Sequence, residues 1–163
     1  MSLTLQTTHG DLKVELFCEL CPTAAKNFLA LSAKGYYDDT IFHRNIKGFI
    51  VQGGDPTGTG KGGQSVFGKQ FKDEIHADVK CDKRGLLCMA NSGKNTNGSQ
   101  FFFTYGKAPH LNGQYTIFGK VIDGFDALDK MEQEPVDQRY KPLNEIKINS
   151  IKIHANPIAD QEA

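Results

Sequence analysis

The sequence predicts a mainly β protein: a closed, eight-stranded antiparallel β-barrel capped by two α-helices. Three observations carry that expectation. About eight short runs either alternate apolar and polar residues or are rich in branched and aromatic side chains. Helical spacing appears in only two stretches, far apart in the chain. The composition, with 17 glycines, 11 phenylalanines and no tryptophan, suits many turns around a phenylalanine-rich core. In an open sheet that many strands would leave exposed edges, which closure removes.

Taken in order, "LTLQTT" (3–8) and "DLKVELF" (11–17) read as a hairpin with period two, turning at His9-Gly10-Asp11. "CPTAAKNFLALSAKGYY" (21–37) then places Ala25, Phe28, Leu29 and Ser32 on one helical face. Pro22 suits the first helical position, where a missing N–H costs nothing, and Gly35 suits the stop. From Thr40 to Phe103 short apolar runs alternate with glycine-rich loops. The runs "IFHR", "FIVQ", "GLLCMA" and "QFFFTY" read as strands, and "QYTIFGKVI" (114–122) adds another. "DGFDALDKMEQ" (123–133) is expected to be a second short helix, with Asp123 as cap, Phe125, Leu128 and Met131 inward, and Pro135 blocking continuation. "NEIKINSIKIHA" (144–155) alternates as a final strand.

At 163 residues the chain suits one domain, 1–163, large enough to bury a core without metals or disulfides. Nineteen basic residues balance nineteen acidic ones, so no field draws the protein to nucleic acid or to an anionic membrane. No apolar run approaches the roughly 20 residues of a membrane span, and the N-terminus lacks the pattern of a secretory signal. The expectation is a soluble monomer, nuclear and/or cytoplasmic and not secreted. There the thiols of Cys18, Cys21, Cys81 and Cys88 stay reduced and the sequon Asn97-Gly98-Ser99 stays unmodified.

Several motifs match chemistry in letters only. "GTGKGG" (58–63) fits a dinucleotide fingerprint, but "QSVFGKQF" follows, with strand character where a helix N-terminus should supply N–H donors. It reads instead as a mobile surface loop with Lys61 solvated. Cys18-Glu-Leu-Cys21 lies just ahead of a helix, where a thiolate could be stabilised, yet the surrounding order is not the βαβ pattern of a thioredoxin. Zinc would need two further ligands at tight spacing. The five histidines are scattered, no G-x-S-x-G occurs, and a lone His43 on a strand reads as a satisfied structural residue. No cofactor and no metal are expected.

What remains is polar residues set in apolar strands. Alternation puts Ile50 with Gln52, and Gln100 with Phe102, on common strand faces. With Arg44 on a neighbouring strand these faces merge into a shallow patch. Its apolar floor is Ile50, Phe102 and Leu111, ringed by an Arg, two Gln and the backbone of "MANSG". Such a patch suits an extended peptide carrying one compact apolar side chain.

The stretches "FHRNIKGFIVQGGD" and "MANSGKNTNGSQFFFTYGKAPHLNGQYTIFGKV", in that order and spacing, resemble the cyclophilins, the cyclosporin-binding class of peptidyl-prolyl cis–trans isomerases. The likeness spans essentially the whole chain. "GYYDDTIFHR" and "HLNGQYTIFG" resemble the small nuclear, spliceosome-associated branch. The resemblance implies an eight-stranded barrel closed by two helices, and catalysis by Arg44 with Gln52. It also implies a proline pocket of Phe49, Ile50, Phe102 and Leu111, with Ala90 and the backbone of Asn91 holding the preceding residue and Gln100 supporting the Arg. Three positions depart from the family pattern: Ile50 for Met, Tyr115 for His, and His110 for the Trp whose indole N–H donates to cyclosporin. The implied partners are proline-containing segments of proteins, among them spliceosomal ones, with weak cyclosporin binding. An isomerase is the first reading, because mere peptide binding needs no donor at the prolyl nitrogen. A proline-binding module in a ribonucleoprotein assembly is the second, and a redox protein using Cys18 and Cys21 the third.

Overall fold

The chain opens on the hairpin that its alternation predicts. The structure, a computed structural model, describes residues 1–154. β1 (Ser2–Thr7) pairs with β2 (Gly10–Leu16), burying Leu3, Leu5, Leu12 and Val14 completely. Thr7 pairs with Gly10, so the turn is Thr8-His9 rather than His9-Gly10-Asp11. A two-residue turn is the tighter connection for a twisted ladder.

Helix α1 (Pro22–Ala33) begins on its proline and stops before Gly35, which has a left-handed φ of +72°. Its buried face is Ala24, Ala25, Asn27, Phe28, Leu31 and Ser32, so Leu29, expected inward, sits at the margin. Glu74, from a distant loop, caps this helix: its carboxylate accepts the N–H groups of Thr23 (3.1 Å) and Ala24 (2.8 Å).

The remaining strands are β3 (Thr40–Ile41), β4 (Arg44–Ile46), β5 (Ile50–Gly53), β6 (Leu86–Met89), β7 (Phe101–Thr104), β8 (Ile117–Asp123) and β9 (Lys147–Ile153). The last is shorter than the expected 144–155, and Ala155 lies outside the described residues. The sheet runs β3-β9-β1-β2-β8-β6-β7-β5-β4, antiparallel throughout. Its two ends, β3 and β4, are separated in the chain only by Phe42 and His43. The stretch 40–46 therefore closes the barrel, pairing with β9 through its first half and with β5 through its second. Nine segments replace the eight expected because "IFHR" is divided at this crossing.

Alternation sorts the strands into two apolar clusters. Val51, Leu87, Met89, Phe101, Phe103 and Phe118 point into the barrel and pack with α1 and α2, the latter spanning Phe125–Gln133. Their neighbours Ile50, Leu86, Cys88, Phe102 and Ile117 point outward and form a second cluster with Leu111 and Ala108. α2 buries Ala127, Leu128 and Met131, whereas Phe125, expected inward, is 42% exposed. Its cap is Gly124 at φ +99°, not Asp123, whose carboxylate instead accepts the Gly124 N–H at 2.8 Å. Gly124 is required there: a Cβ would collide with the Asp11 carbonyl as well as forcing a left-handed side chain. Gly124→Ala is expected to cost about 1–3 kcal/mol in denaturant unfolding, read against a surface control such as Lys152→Ala.

Candidate active site

The strand register assembles the site. Arg44 lies opposite Gln52, Gln52 opposite Phe102, and Phe102 opposite Cys88, so these four form one row across β4, β5, β7 and β6. Directly opposed residues share a face. That face is the outside of the barrel, where Arg44 is exposed and Gln52 half-buried over the second apolar cluster. The guanidinium has no hydrogen bond or ion pair among the described residues, whose ion pairs are made by His9 and Arg84.

Beside the row, Ile50, Phe102 and Leu111 form the floor, exposed by 4%, 2% and 8%. Phe49 stacks on the ring of His110 at 5.4 Å between centroids, and Tyr115 meets Phe102 edge-on at 5.4 Å. His110 and Leu111 ride on a single 3-10 turn, Pro109–Leu111. Asn91 joins this rim to the opposite one, its amide donating to the Gln114 carbonyl at 3.1 Å. The main-chain N–H and C=O of Asn91 have no partner among the described residues, and Ala90 packs against the floor. Of the residues expected at the site, Arg44, Gln52 and Phe102 thus share one row, and Phe49, Ile50, Ala90, Leu111 and Tyr115 pack in the outer cluster with Phe102. His110 stacks on Phe49, and Asn91 and Gln100 line a groove with Gln52.

Gln100 and Gln52 have fixed orientations. Gln100 Nε2 donates to the carbonyls of Gly60 (2.9 Å) and Gly62 (3.0 Å), so its Oε1 must face Gln52, whose Nε2 donates to it at 3.0 Å. That leaves the second Nε2 proton and the Oε1 of Gln52 without a side-chain partner among the described residues. Alongside runs a polar groove of about 670 Å³, bounded by Gln52 and Gln100 on one side and by Ala90 and Asn91 on another.

The loop carrying Gly60 and Gly62 is not the free surface loop that "GTGKGG" suggests. It is wound around Asp55, a fully buried carboxylate. Asp55 accepts the N–H groups of Thr57 (2.9 Å), Thr59 (3.2 Å), Gly60 (2.8 Å) and Gly62 (3.0 Å), and the Thr57 hydroxyl at 2.8 Å. Burial alone would raise its pKa; these donors more than offset that and bring it down to about 2. Asp55 was invisible to motif reading. Its signal in the sequence is an acid followed by Thr57, Thr59 and the glycines Gly58, Gly60, Gly62 and Gly63, the composition of a carboxylate-centred turn.

Other candidates resolve against chemistry. His43 packs under the same loop, and a Cβ on Gly60 would come 3.2 Å from its Nε2. Its buried Nδ1 has no partner among the described residues, so it is structural but not satisfied as expected. Desolvation lowers its pKa, which keeps it neutral at pH 7. Cys21 is buried, and burial, with Glu74 beside it, pushes its thiol up to about 12, the reverse of an activated thiolate. The α1 N–H groups that might have served it belong to Glu74.

A row of Arg, Gln and Phe thus lies on the outside of the nine-stranded barrel, over an apolar floor. The sequence profile of the family described as "Cyclophilin type peptidyl-prolyl cis-trans isomerase/CLD" matches residues 2–153, and the chain belongs to that family of enzymes. A peptidyl-prolyl cis-trans isomerase of Arabidopsis thaliana is 64% identical over 159 residues, covering 98% of this chain and 99% of its own. Peptidyl-prolyl cis-trans isomerase-like 3 of Homo sapiens is 59% identical over 160 residues, covering 98% and 99%. The crystal structure of a Cryptosporidium parvum cyclophilin type isomerase, obtained in the presence of the dipeptide Ala-Pro, matches with a TM-score of 0.93 at 59% identity, covering 96% of this chain and 100% of that one.

The Asp55 charge has a consequence in acid. Its folded pKa lies below the ordinary 3.8, so it stabilises the fold by about 2 kcal/mol above pH 4, and this is lost as pH falls through about 2. The stability gap between wild type and Asp55→Asn, from denaturant unfolding, is therefore expected to hold constant from pH 7 to about pH 4 and to narrow towards pH 2.

Proposed function

We propose that this chain accelerates cis–trans exchange at X–Pro bonds of proteins, with Arg44 as donor to the prolyl nitrogen. The observation that carries the reading is the outer row: a guanidinium with no partner among the described residues, beside a fixed amide, over an apolar floor. Rotation about a peptide bond is opposed by roughly 18–20 kcal/mol, because the nitrogen lone pair is delocalised into the carbonyl. As the bond twists, the nitrogen pyramidalises and its lone pair becomes an acceptor. A donor fixed there binds the twisted state better than either planar one, which is what lowers the barrier.

The other residues hold the substrate. The proline ring rests on Phe49, Ile50, Phe102 and Leu111. Gln52 offers its remaining N–H to a substrate carbonyl, and Ala90 with the Asn91 backbone takes the residue before proline. Gln100, which accepts the other Gln52 N–H, keeps that N–H aimed. His110 and Tyr115 complete the wall. The likeness to the spliceosome-associated branch extends the proposal to proline-containing segments of splicing proteins, met in the nucleus by a monomer.

Exchange of an X–Pro tetrapeptide, followed by NMR, tests the reading. Wild type is expected to accelerate exchange, and Arg44→Ala to lose roughly 10²–10³-fold of the rate, as removing one preorganised donor does. Arg44→Lys is expected to recover only part, because a point charge on a flexible stem cannot replace a planar fork. No acceleration by wild type, with the peptide still perturbing resonances of Phe102 and Gln52, would make the protein a proline-binding module. A separate titration addresses the rim. Cyclosporin binding is expected to be weak and to strengthen roughly tenfold in His110→Trp, the worth of one restored hydrogen bond; tight binding by wild type would overturn this.

A further inference from the structure

Arg44 is exposed and its side chain is held by nothing among the described residues. A long side chain of that kind carries large rotamer freedom. Its aim therefore depends on how firmly its backbone is fixed. The next residue, Asn45, points the other way and is 2% exposed.

Around Asn45 three parts of the chain converge. Its main-chain N–H donates to the carbonyl of Tyr140 at 2.8 Å. Its side-chain Nδ2 donates to the Met131 carbonyl (2.8 Å) and reaches the Glu134 carbonyl (3.5 Å), both at the C-terminal end of α2. Its Oδ1 accepts the hydroxyl of Tyr105 at 2.6 Å, a residue that directly follows β7. Both sides of the amide are used, so its orientation is fixed.

Tyr105 is fixed in turn. Arg84 lies 5.2 Å over its ring, donates to its carbonyl at 2.9 Å, and pairs with Glu132 at 2.8 Å. The other oxygen of Glu132 accepts the N–H of Gly48 at 2.8 Å, in the turn between β4 and β5. The last turn of α2 thus grips β4 at Asn45 and the following turn at Gly48. A strand of three residues needs such support, since alone it makes few ladder bonds.

We propose that Asn45 is a positioning residue for Arg44, held by the Tyr105 hydroxyl and the end of α2; this rests on Arg44 being the donor to the prolyl nitrogen. Asn45 touches no substrate. It fixes the Cα and Cβ from which the guanidinium is aimed, so its loss acts on the twisted state rather than on peptide binding.

Tyr105→Phe removes one hydroxyl and keeps the ring under Arg84. The test is a double-mutant cycle with Arg44→Ala, with kcat and KM taken separately from NMR exchange of an X–Pro tetrapeptide. Tyr105→Phe is expected to lower kcat roughly three- to tenfold with KM unchanged, a cost typical of slight misplacement, and to have no further effect on the residual rate of Arg44→Ala. In a His110→Ala background, across the floor, the full effect is expected to persist. Asn45→Ala, with its folded fraction measured by denaturant unfolding, repeats the cycle from the other partner and is expected to behave alike. An equal effect with and without Arg44, or a rise in KM alone, overturns the proposal while leaving Arg44 as donor. If Arg44→Ala itself retains the wild-type rate, the donor reading fails first and the proposal with it.

Discussion

The crossing at Phe42-His43 is the constraint on which the site depends. Thr40 and Phe42 are buried, and strict alternation from them would bury Arg44 and expose Asn45. The opposite is found: Arg44 is exposed and Asn45 is 2% exposed. Between β3 and β4 the alternation slips by one residue as the chain leaves β9 and takes up β5. A one-residue slip moves every following side chain to the other face. Barrel closure and the outward guanidinium are thus one event. An unslipped strand would have put an unpaired cation among the phenylalanines, which no protein core sustains.

On the side of Gln52 and Gln100, a buried anion does comparable work. Asp55 makes no hydrogen bond to a site residue among the described residues, yet its oxygens gather the N–H groups of the loop and leave the Gly60 and Gly62 carbonyls free to accept from Gln100. Those of Gly60 and Gly62 take both protons of Gln100, which settles the Gln100 amide and therefore that of Gln52. A neutral amide has two nearly isosteric orientations, so a site that relies on one needs something to forbid the other. Here the forbidding groups are the two glycine carbonyls, and the loop that carries them is held by the Asp55 charge, a stronger acceptor than another amide would be.

The sequence was legible where period and composition speak directly. The hairpin, both helices and every strand but the β3–β4 pair, read as the one run "IFHR", are visible in apolar spacing, and the two-faced alternation of "FIVQ" and "QFFFTY" anticipates the outer apolar cluster. The misses share a cause: each is set by partners remote in the chain. Leu29 yields the inward face to Leu31, and Phe125 turns out to solvent against Gly85, because helix faces follow the barrel they land on. Glu74 caps α1 from fifty residues away, which no local capping pattern reveals. Asn45 reads as a strand polar residue until α2 is folded over it. Setting Arg44 on a strand beside Gln52 puts it in the patch, and the resemblance puts it there too, whereas strict alternation from Phe42 would send it inward.

An exposed guanidinium is a weak tool in water, where a surface ion pair is worth about 0–1 kcal/mol. Its value changes only if something displaces the water. On the proposed reading the apolar floor beside it supplies the means: a proline ring lying on Ile50 and Phe102 brings its own nitrogen out of water and next to Arg44. On the proposed reading neither half suffices. The floor without the cation binds proline in both planar forms equally and leaves the barrier untouched, since uniform binding does not raise kcat. The cation without the floor stays screened. Register sets Arg44, Gln52 and Phe102 in one row, so that on the proposed reading the group which excludes water and the group which needs it excluded share one face with a single strand between them.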